Sequence, residues 1–313
     1  MLENFMTVAG QVLVLFGLIA MGFILTKKNM INKAGADACT NITLYLATPT
    51  VIMRSFIQMK YDPATFNTLL LSLGICLLIH IGYIAVATLV FRGDNQARVR
   101  VLRFAIVFSN AGFMALPLQE SLLGSQGVFF GTAYVVIFNI VAWSYGIILM
   151  SGERKQLSVK KMLVNPGIIG AAIGIILFVV SLPIPDAVKA TGYQIINHTA
   201  NLNTPIPMLV IGYYLATSDI KKALKDKACY LNILLRTVLL PAVTVLVLYV
   251  CGVRGAMLVS LAVAASAPTA AMTTMFSAKF ERDTELSVNI VSLSTIISII
   301  TMPLIVAIAQ MLA

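Results

Sequence analysis

The sequence predicts an all-α polytopic membrane protein whose ten spans form two inverted halves of five, with the fourth and ninth spans broken at mid-membrane and crossing. Three observations predict it. Of 313 residues, 59% are hydrophobic and only 11% charged, and the mean hydropathy of +0.94 lies far from that of soluble domains. Basic residues gather in every second short loop. The pattern N-x-T-x-x-L-x-T-P occurs twice, half a chain apart, as "NITLYLATP" (41–49) and "NHTANLNTP" (197–205).

Apolar runs of roughly 20 residues are each long enough, at about 1.5 Å per residue, to cross a hydrocarbon core of about 30 Å. They fall near 5–26, 37–58, 66–91, 99–119, 127–150, 163–182, 192–216, 229–251, 254–278 and 286–311. The first begins "MLENF", with an acid where a signal peptide would carry a base and an apolar stretch that is too long, so it reads as a span. Lys27, Lys28 and Lys33; Arg92, Arg98, Arg100 and Arg103; Arg154, Lys155, Lys160 and Lys161; Lys221, Lys222, Lys225 and Lys227; and Lys279 and Arg282 all fall on one side. The other side holds only Arg54, Lys60, Lys189 and Arg254, and Arg236 lies inside the eighth span. The positive-inside rule makes the first side cytoplasmic and places both termini outside the cell membrane. This loop placement also accounts for the net charge of +10 without nucleic acid.

An odd number of spans per half sets the halves in opposite orientations. Residues 1–151 form the first half, 152–162 a cytoplasmic linker and 163–313 the second half. A fainter echo relates "FAIVFSNAGFM" (104–114) to "LAVAASAPTAAM" (261–272), in the fourth and ninth spans. Each of these carries helix-breaking residues near mid-depth: Ser109, Asn110 and Gly112 with Pro117 beyond, and Ser266, Pro268 and Thr269. Unwound backbone in a membrane is tolerated only where protein buries it or it lines a cavity. Two breaks at matching positions thus mark a site where N-termini of half-helices offer positive partial charge to an anion. Ordinary proline kinks packed by small residues are the bland alternative.

The motifs "SNAGFMALPL" in span four, "ASAPTAAM" in span nine, "LLRTVLLPAV" in span eight and "VSLSTIISIITMPL" in span ten resemble the auxin efflux carrier family, which includes plant auxin exporters and bacterial carboxylate permeases. The resemblance covers the whole chain, in a short form without a long central loop. Plant members carry proline immediately before the fourth-span asparagine, where this chain has Ser109. The resemblance implies a scaffold of spans 1, 2, 6 and 7, often dimeric, and a transport domain of spans 3–5 and 8–10 that moves like an elevator. Pro49 and Pro205 would then bend scaffold helices toward the substrate pathway.

Ser109, Asn110, Ala111, Asn139, Pro268 and Thr269 are the expected substrate-binding residues, with Asn110 and Asn139 offering amide donors to a carboxylate. Tyr134 and Trp143 are expected to pack. Pro49, Pro205, His80, Arg236, Ser292 and Thr295 are expected along the pathway or in coupling. His80, midway along span three, reads either as a satisfied interhelical histidine or as a proton-coupling group. His198 lies nearer a span end. Arg236, two turns into span eight, is shallow enough to snorkel, and reads either as an anion attractor or as a partner for broken-helix carbonyls. Asn289, Ser292, Thr295 and Ser298 form a polar face on span ten.

All 12 acidic residues fall in loops or at span ends, unlike antiporters that need buried carboxylates. The four cysteines, Cys39, Cys76, Cys229 and Cys251, show neither disulfide nor zinc spacing. No nucleophile–base set, metal motif or nucleotide loop suggests an enzyme or a pump. The expected function is secondary transport of a small organic anion such as a carboxylate or an indole carboxylate. It needs no cofactor or metal, and H+ and Na+ stand as alternative coupling ions. The competing reading is a sodium-coupled organic-anion symporter of the bile-acid type.

Overall fold

The computed structural model describes residues 2–59, 61–153, 155, 166–180, 186–217 and 226–313. The linker bases Arg154, Lys160 and Lys161, the loop residues Lys60, Asp219, Lys221, Lys222 and Lys225, and both ends of the expected sixth span (163–165 and 181–182) lie outside them.

Within these residues the chain is helical, with one isolated extended bridge. Five helical stretches are long and apolar enough to cross a membrane: Val8–Lys27, Pro63–Val90, Ala111–Ser151, Lys227–Val250 and Thr284–Leu312. Pro166–Val179 and Gly255–Ser266 are shorter apolar helices. Large apolar side chains such as Leu78 on Pro63–Val90 and Val250 on Lys227–Val250 remain exposed, as a lipid-facing surface requires.

The helices are α1 (Leu2–Lys27), α2 (Lys33–Ile42), α3 (Thr48–Gln58), α4 (Pro63–Val90), α5 (Gln96–Val107), α6 (Leu116–Val141), α7 (Ile147–Ser151), α8 (Pro166–Val179), α9 (Asp186–Ala200), α10 (Pro205–Thr217), α11 (Lys227–Leu234), α12 (Leu240–Val250), α13 (Gly255–Ser266), α14 (Met272–Lys279) and α15 (Thr284–Leu312). Wide π turns join α2 to α3 (Thr43–Ala47), lead into α6 (Ala111–Ala115), join α6 to α7 (Ala142–Gly146) and join α11 to α12 (Leu235–Leu239). Three of them end two residues before a proline, at Pro49, Pro117 and Pro241. Proline has no N–H and its ring crowds the carbonyl four residues back, so the helix widens upstream rather than clash.

Several acidic residues sit where the helix dipole favours them. Asp62, Asp226 and Asp283 cap α4, α11 and α15 by accepting backbone N–H groups at 2.8–3.2 Å.

Residues Ala111–Ser151 are too long for one crossing, and the chain reverses within them. Gly124 has φ 61° and ψ −147°, and the Gln119 side chain lies against Gly131. In a straight helix those two residues would stand about 18 Å apart. The amide of Gln119 donates to Ser260 O at 2.8 Å and the Ser260 hydroxyl to Gly127 O at 2.8 Å, tying this hairpin to α13.

α1 and α10 approach at a glycine pair: a Cβ at Gly212 would strike the Ile19 and Phe23 backbone, and one at Gly22 would strike Leu209. α3 packs on α8, where Gly170 makes room for Pro49 and Gly174 for Phe56. The two copies of the sequence motif meet at the bends in these helices. Thr48, beside Pro49, donates to Asn203 Oδ1 at 2.9 Å, two residues before Pro205. In the rest of the molecule α6, α12 and α15 pack directly on α13, which is buried from Met257 to Ser266.

Candidate functional site

α5 stops at Val107 and α13 at Ser266, each in an otherwise apolar run. The extended segments that follow meet as an antiparallel bridge between Ser109 and Thr269. Asn110 N–H donates to Pro268 O at 2.7 Å, and Ala270 N–H to Phe108 O at 2.9 Å. The chain then re-enters helix on both sides, through the π turn before α6 and through α14. The two interrupted segments therefore bond to each other at their breaks, and the unwound backbone is satisfied by pairing rather than by water.

Four amides are left over. Gly112 and Phe113 begin one half-helix, Ala271 and Met272 the other, and their N–H groups find no acceptor among the described residues. All four residues line a cavity of about 310 Å³. Ser109, Asn110 and Ala270 complete this wall. Val135, Phe138, Asn139 and Trp143 form a second. Thr40, Asn41, Leu44, Tyr45 and Thr48, with Pro166 and Gly167 of α8, form the opposite side, and Met275, Phe276 and Lys279 extend the lining along α14. The cavity has an apolar, largely aromatic body and a polar base. Its described lining includes one basic side chain and no acidic one.

The expected binding residues divide into two groups. Ser109, Asn110 and Asn139 line the cavity. The Asn139 amide spends one N–H on Val135 O at 2.9 Å and keeps the other. Ala111, Pro268 and Thr269 instead shape the crossover: Ala111 N–H bonds Ser109 O at 2.8 Å, Pro268 offers its carbonyl to Asn110, and Thr269 donates through its hydroxyl to Ala105 O at 3.3 Å and through its N–H to Ser294 Oγ at 3.2 Å. On the second break it is Ala270, Ala271 and Met272 that face the cavity.

Pro49 and Pro205 sit at the starts of α3 and α10, and Thr48 beside Pro49 reaches the cavity. His80 lies behind the crossover, with Nδ1 2.8 Å from Cys76 O and its ring 4.8 Å from that of Tyr134. Tyr134 packs as expected, fully buried, its hydroxyl 3.3 Å from Ser109 Oγ. Trp143, expected only to pack, lines the cavity. Ser292 and Thr295 lie on the far side of the crossover and share with Asn110 a water-sized void of about 10 Å³. Thr295 donates back to Val291 O at 2.7 Å, whereas Ser292 Oγ is buried with no partner among the described residues.

Arg236 corrects one expectation and matches another: it does not snorkel but is fully buried, and its guanidinium donates to backbone carbonyls at the breaks, the broken-helix pairing that was the second of its two readings.

Sequence reasoning missed Lys279, read as a loop residue, and Asn41 and Thr48, read only as part of a repeat. Their signal was the polar content of N-x-T-x-x-L-x-T-P within an apolar span. Among the described residues no cluster of His, Cys, Asp or Glu could hold a metal ion, and the four cysteines are unpaired.

A family model described as membrane transport protein matches the chain twice, over residues 7–161 and 153–306. An uncharacterized transporter of Methanothermobacter thermautotrophicus is 24% identical over 308 residues, covering 96% of this chain and 98% of that protein.

Proposed function

The chain belongs to the membrane transport protein family, the auxin efflux carrier group that its motifs resemble, and on that premise we propose that it is a secondary-active carrier of a small organic anion in the cell membrane. One observation carries this reading: two half-helix N-termini leave four amides unpaired among the described residues at the base of a cavity whose described lining includes Lys279 and no carboxylate. Each such end acts as roughly half a positive charge, which favours an anionic headgroup. The aromatic walls of Phe113, Phe138, Trp143 and Phe276 suit an apolar body.

The cavity runs from the crossover toward Lys279; with the basic loops taken as cytoplasmic and both termini as external, this conformation is the cytoplasm-facing one. α1–α3 and α8–α10 are the scaffold, through which two copies pair. α4–α7 and α11–α15 carry the crossover across the membrane as an elevator.

Matched acid and amide ligands, for example benzoate and benzamide, test the charge requirement on the reconstituted protein, with and without sodium. Binding of the acid at least tenfold tighter than the amide is the expected result. Equal affinity for the pair sinks the anion reading, and binding that requires sodium favours the symporter alternative.

A further inference from the structure

The sign of the field at the crossover is decided on the side away from the cavity. Four helix ends meet there: the C-termini of α5 and α13, and the N-termini of the π turn before α6 and of α14. Each C-terminus carries about −0.5 charge and each N-terminus about +0.5, so the four ends alone are close to neutral. A site built only from them would have little preference for an anion.

Arg236 breaks that balance. Its Nη1 donates to Ile106 O of α5 at 3.1 Å, its Nη2 to Ala265 O at 2.7 Å and Ala267 O at 3.2 Å, and its Nε to Ala267 O at 3.3 Å. These carbonyls close α5 and α13. The Tyr83 ring lies 5.3 Å from the guanidinium carbon. No carboxylate pairs with Arg236 among the described residues. Its charge is therefore answered by the helix ends rather than by an acid, which a buried arginine ordinarily requires.

We propose that Arg236 is a tethered counter-cation and a positioning residue: it fills a cation site made by the C-terminal carbonyls of α5 and α13, holds the two ends together, and leaves the N-terminal ends uncompensated toward the cavity. One positive charge offsets about two halves of negative charge. The crossover then presents net positive character, although the guanidinium itself does not line the cavity. The anion consequence rests on the carrier reading above. The filled cation site does not.

Two measurements separate these claims. Arg236→Ala is purified with and without millimolar guanidinium, and its thermal midpoint is titrated with guanidinium chloride against choline chloride at equal ionic strength. The expected outcome is a lowered midpoint that guanidinium raises saturably, while wild type responds to neither salt. A midpoint equal to wild type, an equal guanidinium response in both proteins, or a variant that yields no folded protein even with guanidinium present overturns the proposal. Benzoate binding is then compared for wild type, Arg236→Lys and Arg236→Gln. Lysine keeps the charge and should stay within about threefold of wild type, while glutamine should lose tenfold or more. Equal losses in the two variants overturn the charge role. If wild type itself binds no benzoate, the anion reading fails and the guanidinium titration still decides the site.

Discussion

Arg54 on α3 is clasped to Glu120 at the start of α6, and its Nη1 donates to Asn197 and Asn201, each at 2.7 Å. Asn197 lies on α9 and Asn201 in the turn after it, in the proposed scaffold, whereas Glu120 lies on α6, which follows the crossover. On the elevator movement proposed above this ion pair has to part, which gives it the expected role of a latch.

Breaking the latch should therefore shift the conformational balance. Glu120→Gln in a cysteine-free background carrying Asn41→Cys should be labelled more slowly by an impermeant thiol reagent applied from the basic-loop side. Faster or unchanged labelling would refute the latch. Arg54→Ala should also lower stability, by about 1–3 kcal/mol, less than for a fully dry pair because Glu120 still reaches water. Thermal unfolding in detergent reads the difference.

Asn110→Ala and Asn139→Ala each remove an amide that faces the cavity. A hydrogen bond to a charged ligand contributes about 1.5–3 kcal/mol, so each variant should lose roughly ten- to a hundredfold in anion affinity while keeping its fold. Calorimetry on purified protein measures this, and unchanged binding in both variants would assign the two side chains to packing.

Lys279 acts through a different range. It lies at the exposed end of α14, about seven residues or one 10 Å helix length from Met272, too far to bond a small anion seated at the crossover. Its expected role is to draw anions in. Lys279→Gln should slow association a few-fold at low ionic strength, and the deficit should vanish near physiological salt as screening sets in. A loss that salt leaves untouched would instead place Lys279 in direct contact with the ligand.

The breaks at Ser109 and Pro268 were legible because asparagine, glycine and proline interrupt apolar runs where a helix has reason to continue. Their pairing was legible from their matching positions in two halves that an odd number of spans sets in opposite orientations. Arg54 was not legible in its role, and Arg236 was legible only as one of two alternatives, the partner of broken-helix carbonyls. Periodicity reports how much of a segment is apolar, but the acceptors of Arg236 are backbone carbonyls about 30 and 130 residues away, and carbonyls leave no mark in a sequence. Asn41 and Thr48 were visible as a repeat and opaque as cavity lining, since only the bend at Pro49 turns them inward. The ends of spans misled in the opposite direction: a lysine there reads as solvated loop whether or not a cavity opens beside it.

The glycine pair between α1 and α10 gives the last prediction, and it concerns the proposed scaffold. Gly212 sits against Ile19 O and Phe23 N, so an alanine there meets backbone on both sides, with no flexible side chain to give way. Gly10, on the same α1, has open space around the position a Cβ would take. Overpacking of this kind costs about 1–3 kcal/mol when neighbours can shift, and more when they are main chain. Gly212→Ala should accordingly lower the thermal midpoint clearly, whereas Gly10→Ala should leave it unchanged or raise it slightly through helix propensity. Because Gly212 does not line the cavity, whatever Gly212→Ala protein remains folded should bind anion with wild-type affinity. A binding defect in that folded fraction would mean that the scaffold shapes the site directly, and would count against a rigid frame past which the crossover moves.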